Sequence, residues 1–397
     1  MKLDLREAEL KLLTNLTTRR LFVKRKTQRL LAKITLALVI TLVCLAFIEL
    51  CLQLTYGQRK PAYAVSPGGG KTYEIFNEEF VHEVRTNKMN LRDEEFEPKQ
   101  DDEYRVLFTG DSFTFALGVD IEDSFHVQME KRLQHEGKRF NALNYGGRRD
   151  FVFNASSTLR EMKPDAVVAQ VFIGNDFYDL QTDMHRKFEP IGVEPTPKTG
   201  TAIVPLANSQ TGTVSVTASE QRPVKPKMRF KLYTLEILWR SLIKVEAFDN
   251  LLFKMNLRYG GRPILLREHP ELEKRLVTRE LEVLTHLQKA AKALGIDFYI
   301  FLIPFKVQCL KSDLLDKDKY DYQKPNRILR EFSAKNKIPC LDFLELYDQM
   351  DPRTIRTFYY HKDMHWTKAG HHHAGEALAK FLAEQDPRFS IIKKHQQ

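Results

Sequence analysis

Three short strand-like runs, each stopping at a glycine, constrain the fold of this chain more than any other feature. Residues 106–109 end at Gly110, residues 141–145 at Gly146 and residues 166–173 at Gly174. The first and third are apolar and rich in branched residues, as in strands covered on both faces, and the second reads as a short strand breaking at its glycine. Helical patterns at 125–135 and 153–162 separate them. Two more strands are expected at 296–303 and 340–343, preceded by helices at about 271–294 and 322–336. This alternation predicts an α/β fold, a flavodoxin-like three-layer α/β/α sandwich on a parallel sheet. Such sheets bind ligands outside the carboxyl ends of their strands, so the residues that end the strands carry the chemical information.

Ser112 follows Gly110-Asp111 at the first of these ends. It reads either as a nucleophile or as a helix cap, since Ser and Asp after Gly are ordinary turn residues. A nucleophilic serine needs a base, and the base needs an orienting partner. Of the 12 histidines, His365 stands out because Asp363 lies two residues before it. In an extended segment that spacing puts both side chains on one side. Thr367 reads as an N-cap and 368–383 as a C-terminal helix, which would fix the pair at its entrance. A surface histidine in a loop is the plainer reading. Acyl transfer also needs donors for an oxyanion. Gly146, beside Gly147, could offer a backbone N–H, and Asn175 after Gly174 a side-chain amide; each also reads as a turn residue.

Taken in order, Gly110-Asp111-Ser112, Gly146, Gly174-Asn175-Asp176 and Asp363-Met364-His365 resemble the four blocks of the SGNH/GDSL hydrolase superfamily. The resemblance implies Ser112, Asp363 and His365 as catalytic triad, and the Ser112 N–H, the Gly146 N–H and the Asn175 amide as oxyanion hole. It covers residues from about 80 to 385 except a poorly matched middle. Residues 82–106 are similar to the lead-in of membrane-anchored bacterial members. Two departures stand out: Phe113 occupies the fourth position of the first block where the family has Leu, and Gly147-Arg148-Arg149 follows the oxyanion glycine. The two arginines suggest an anionic substrate or acceptor.

A net charge of +10 invites a nucleic-acid reading, but the charge is not spread that way. Residues 1–33 hold ten Lys/Arg against three acidic residues, a net +7, which leaves +3 elsewhere and no basic stripe with interleaved aromatics. Nucleic acid is therefore not an expected partner. Residues 34–56 are largely apolar, with Glu49 the one charged residue, and 23 residues make a helix of about 34 Å, enough to cross a bilayer. The flanking basic segment places the N-terminus in the cytoplasm and the rest outside. Ala62-Tyr63-Ala64 resembles a cleavage site, yet it lies far beyond the apolar run, and the basic region is long for a cleaved signal. The expected organisation is a basic cytoplasmic segment (1–33), a transmembrane signal anchor (34–56), a linker (57–72) and a catalytic domain (73–397) with an insertion at about 183–270.

That insertion is rich in Pro, Thr, Ser and Lys, with a hairpin expected around Gly212. Residues 230–248 then carry apolar residues at helical spacing, which fits a helix packed on the core or a cap over the site. Cys309 and Cys340 fall at neighbouring strand ends and are read as buried free thiols, a disulfide being sterically conceivable. His371–His373 are consecutive on a helix and point about 100° apart, so no metal is expected there, nor any cofactor elsewhere.

What the resemblance and the anchor imply together is a serine esterase of the bacterial inner membrane, with its catalytic domain periplasmic or extracellular. It would remove O-acyl groups, acetyl among them, from an extracytoplasmic glycan or a related small ester. Glycan O-acetyltransferases of the superfamily, the alginate ones included, share an Asp-x-His-Trp segment, here Asp363 to Trp366. In those enzymes that segment precedes the serine, whereas here Ser112 comes first, the usual hydrolase order. A transferase with the same triad and a non-catalytic envelope glycan-binding protein are the alternatives.

Overall fold

The computed structural model describes residues 31–54, 70–76, 79–135, 137–147, 150–191, 233–255 and 263–391. The chain forms two compact units, one of residues 1–60 with 223–242 and one of residues 61–222 with 243–397. In the first, the helix Leu31–Leu54 has 24 residues and is long and apolar enough to cross a membrane. The basic segment 1–30, the linker 55–69, Arg148, Arg149 and the hairpin expected around Gly212 lie outside the described residues.

The larger unit contains nine strands among its described residues: β1 (Thr72–Phe76), β2 (Val81–Arg85), β3 (Glu103–Gly110), β4 (Leu133–His135), β5 (Arg139–Gly146), β6 (Ala166–Phe172), β7 (Asp297–Ile303), β8 (Cys340–Asp342) and β9 (Phe389–Ile391). Five of them make one sheet in the order β5-β3-β6-β7-β8, and every pairing in it is parallel. The chain enters the sheet at β3, steps out to β5, then crosses back to β6 on the other side of β3. The direction of winding therefore reverses at β3, and the carboxyl end of β3 opens at the switch point where open α/β sheets bind ligands.

Apolar side chains on both faces explain why these strands are central. All seven residues of β6 are buried, as are Val106, Leu107 and Phe108 of β3. Two helix pairs cover the sheet: Ala155–Met162 packs against Glu271–Ala293, and Phe125–Glu130 against the C-terminal helix Lys368–Gln385. Gly375 lets the second pair approach closely, because a Cβ there would come within 2.6 Å of the Gln128 Cβ and 2.7 Å of the Phe125 carbonyl. Between that pair and the sheet lie Phe125, Phe301, Phe343 and Trp366, all essentially inaccessible, with ring centroids 5.0–6.4 Å apart. Truncating one such aromatic typically costs about 3–5 kcal/mol.

The fold departs from expectation in four places. The helix expected over 125–135 stops at Glu130, and 133–135 instead forms β4, paired antiparallel with β9 near the C-terminus. The helix expected over 153–162 is broken at Asn154 into Asp150–Phe153 and Ala155–Met162. An antiparallel hairpin, β1–β2, begins at Thr72, inside the segment read as linker. The helix expected over 230–248 divides into Tyr233–Ile243 and Glu246–Lys254, with Ile237, Leu238 and Trp239 exposed and Ile243 buried. Cys309 and Cys340 are free thiols, both pushed up by burial, Cys340 to about 12.

Candidate active site

Ser112 is presented by an irregular turn rather than by the start of a helix. After β3 the backbone curls through 111–118, closed by N–H donation from Phe115 to Asp111 O and from Leu117 to Ser112 O, each at 3.0 Å. Three features of the sequence make that turn possible. Asp111 accepts the Phe113 N–H on Oδ1 at 2.9 Å. Gln170, from the middle of β6, accepts from both the Asp111 N–H (3.1 Å) and the Thr114 hydroxyl (2.9 Å). Gly110 leaves room for that amide, since a Cβ there would sit 2.2 Å from Gln170 Oε1. Burial pushes the Asp111 carboxyl up to about 6, against the pull of the Phe113 N–H and of His365.

A second support comes from Arg92, which no motif marked. Its side chain is 1% exposed, and it donates to four carbonyls: Phe115, Ala116 (2.5 Å), Val119 (2.7 Å) and Glu83. Two of those belong to the serine turn and a third, that of Val119, follows it directly. Ala116 stands at φ +62°, a left-handed conformation that costs a non-glycine residue about 1 kcal/mol or more, and the Arg92 bond to its carbonyl helps hold it there.

Asp363, His365 and Ser112 form a continuous line of hydrogen bonds. His365 Nδ1 lies 2.5 Å from Asp363 Oδ1, and His365 Nε2 lies 2.7 Å from Ser112 Oγ. The same Asp363 oxygen accepts the His365 backbone N–H at 2.9 Å, so the carboxylate fixes both the ring and its chain. With Nδ1–H donated to the carboxylate, Nε2 keeps its lone pair toward the serine hydroxyl. His365 is 4% exposed, and Phe113 lies against its ring with centroids 5.0 Å apart, so the Phe that departs from the family pattern walls the base. Burial alone would raise the Asp363 carboxyl; the charge and hydrogen bonds of His365, with Lys306, bring it below the usual carboxylate range.

The loop carrying Asp363 is gripped from two sides. Lys306, buried at the carboxyl end of β7, directs its ammonium to the carbonyls of Tyr360, His361 (2.9 Å) and Asp363 (3.3 Å). Glu79, between β1 and β2, accepts the N–H groups of His361 (2.7 Å), Lys362 (2.7 Å) and Asp363 (2.6 Å). Neither residue was identified from sequence. The strand-end position of Lys306 was the available signal, because an ionised side chain there is either functional or bound to something. Glu79 offered none.

The three groups expected as oxyanion donors differ in what they have free to offer. The Ser112 N–H has no acceptor among the described residues. Asn175 follows Gly174 at the end of β6; its amide gives one hydrogen to Asp179 Oδ2 at 3.1 Å, which leaves a second hydrogen to offer. Gly146 has no N–H to spare, since it donates to Asn144 Oδ1 at 2.8 Å. Gly146 is the last residue of β5 and pairs with Gly110. What Gly146 supplies is clearance. A Cβ there would lie 2.2 Å from Phe115 N and 2.4 Å from Thr114 C, both backbone atoms of the serine turn.

The three consecutive histidines separate as helical geometry requires. His371 stacks on Phe125, His372 reaches Asp123 at 3.0 Å and His373 stacks on Phe358.

Comparison with known proteins adds the following. Residues 265–397 match the family model described as "SGNH hydrolase-like domain, acetyltransferase AlgX". Solved structures similar to the chain include TesA (13% identity, 70% of this chain and 98% of that one, TM-score 0.36). A catalytic mutant of an acetylxylan esterase from Geobacillus stearothermophilus is similar as well (13%, 71% and 93%, TM-score 0.34). No curated protein matches the sequence.

Proposed function

We propose that the chain belongs to the SGNH/GDSL hydrolase superfamily, whose SGNH hydrolase-like model matches residues 265–397, and that Ser112, His365 and Asp363 make it a serine esterase for O-acyl groups, acetyl among them, on an extracytoplasmic glycan. The observation that carries this reading is the unbroken 2.5 Å and 2.7 Å line from Asp363 through His365 to Ser112. Ser112 Oγ attacks the ester carbonyl as its proton passes to His365 Nε2. The tetrahedral oxyanion is held by the Ser112 N–H and the second Asn175 amide hydrogen, each such donor being worth about 3 kcal/mol. His365 then returns the proton to the departing alkoxide, leaving the acyl group on Ser112. Water, deprotonated by the same nitrogen, releases the acid and restores the serine. Gly146 has no part in this scheme except as the residue that lets the turn close.

The location is part of the proposal. The helix Leu31–Leu54, preceded by nine basic residues against three acidic ones, is read as an inner-membrane anchor with its N-terminus in the cytoplasm. The glycan is inferred from that location and from the family model.

A transferase reading has one observation in its favour, the name of the matched model, an acetyltransferase. Both reactions share the acyl-enzyme and differ in whether water or a sugar hydroxyl takes the acyl group. Wild-type and S112A protein are compared on p-nitrophenyl acetate, with and without a glycan acceptor. Acetate release lost in S112A supports the esterase, and acetyl appearing on the acceptor faster than free acetate supports the transferase. Undiminished turnover by S112A, with no labelling of Ser112 by a fluorophosphonate, leaves a non-catalytic binding protein.

A further inference from the structure

The helix Tyr233–Ile243 has seven apolar residues in eleven, and three of them lie open while Ile243 is buried. Ile237 is 47% exposed, Leu238 54% and Trp239 37%, three successive positions that span more than half the helix circumference. A helix of this composition is stable only if something apolar covers it. With 11 residues it is about 16 Å long, half of what a bilayer core requires, so it cannot cross one.

Its start is tied to the helix Leu31–Leu54, in the same compact unit. Thr234 donates both its backbone N–H and its hydroxyl to Glu49 Oε2, each at 2.8 Å, and Gln53 donates to Glu49 Oε1 at 2.7 Å. A carboxylate in an apolar span is costly unless it is bonded. Here it is satisfied by the N-terminus of the short helix, where the helix dipole also favours a negative charge. Glu49 lies five residues from the end of the long helix, about 7.5 Å along its axis. The short helix therefore begins at the level where a spanning Leu31–Leu54 would leave the hydrocarbon.

Charge completes the pattern. Between Arg222 and Lys244 there are seven Lys/Arg and one acidic residue, Glu236. Basic residues flanking an apolar segment with Tyr and Trp suit the boundary between acyl chains and anionic headgroups.

We propose that the helix Tyr233–Ile243 is an interfacial membrane helix, lying in the outer leaflet of an anionic phospholipid bilayer and pinned to the anchor through Glu49 and Thr234. This rests on the reading of Leu31–Leu54 as a membrane span. The insertion thus acts as a second membrane attachment, distinct from the cap over the site that its position in sequence would allow.

The chain has two tryptophans, and Trp366 is fully buried, so Trp239 can be observed separately. Full-length protein is reconstituted into phosphatidylethanolamine/phosphatidylglycerol (3:1) vesicles, with and without lipids brominated in the upper acyl chain. Emission of the W239F variant is subtracted from that of wild type. The expected Trp239 signal is blue-shifted, lost on bromolipid addition and insensitive to iodide, with ester turnover unchanged in W239F. A Trp239 signal quenched by iodide and spared by bromolipid overturns the proposal, because the helix then faces water. Insensitivity to both quenchers overturns it too, because protein then covers the helix. Failure of the protein to float with the vesicles would refute the anchor reading itself, and the proposal with it.

Discussion

Lys306 and Glu79 hold one short loop from opposite polarities, the ammonium on carbonyls of Tyr360, His361 and Asp363 and the carboxylate on N–H groups of His361, Lys362 and Asp363. The loop has little regular structure of its own, so these two side chains set where Asp363 stands. Replacing Lys306 by Met frees three carbonyls without adding a charge. We expect kcat to fall by about 10–100-fold with KM within about twofold, the mark of a misplaced reacting group rather than of lost substrate binding. E79Q, which keeps the shape and loses the charge, should show the same split more weakly. A raised KM at unchanged kcat in either variant would place the residue in substrate binding instead.

Asp363 accepts from both His365 Nδ1 and the His365 backbone N–H. An Asn at 363 can turn its NH2 toward the ring and stabilise the tautomer that presents Nε2–H to Ser112, the wrong state for a base. D363N should lose a factor on the order of 10³–10⁴ in kcat while circular dichroism is unchanged. A folded D363N enzyme within about threefold of wild type would show that another group orients the ring.

Gly146 is needed for clearance, because its missing Cβ is where Thr114 and Phe115 backbone atoms lie, at 2.2–2.4 Å. Backbone cannot rotate away as a side chain tip can. G146A should therefore cost about 1–3 kcal/mol of stability by overpacking and displace Ser112 together with its turn. Urea unfolding measures the first effect and fluorophosphonate labelling the second. Wild-type values for both would show that the turn shifts freely.

Buried histidines make the larger unit sensitive to acid. His126 is fully inaccessible, and burial, followed by the charge of Arg92, lowers it to about 3; His82 is lowered likewise. The unfolded chain protonates these rings below about 6.5 and the native one does not until near 3, so the unfolded state binds more protons in that window and stability falls as pH falls. For His126 this amounts to about 2 kcal/mol between pH 7.5 and 5. Urea midpoints of wild type and H126Q at the two pH values should differ by that increment, wild type losing more. Equal losses would mean that His126 takes up its proton in the native state.

The central strands were legible because their apolar runs are bounded by residues that cannot continue a strand buried on both faces. Residues 166–173 were expected and Ala166–Phe172 is found; 296–303 and Asp297–Ile303 agree as closely. β4 and β9 were not legible, since three residues show no alternation and their partner lies over 250 positions away. The residues that end strands pointed to the site because the fold gathers those ends at one edge. The grip on the 360–363 loop was invisible for a different reason: Lys306 and Glu79 act on backbone groups, which every sequence possesses and none advertises. Gly146 shows the opposite limit, a glycine singled out as an oxyanion donor whose N–H is committed to Asn144.

Ser112 and His365 are 253 positions apart, and the base precedes only the last helix and strand of the described chain. A chain leaving the ribosome thus carries Ser112 for 253 residues before His365 exists. On the proposed mechanism, a product cut short anywhere between the two holds the serine without its base, so the attack on the ester has no imidazole to take the proton. The proposed triad assembles only in chains whose late segment has returned to the early one.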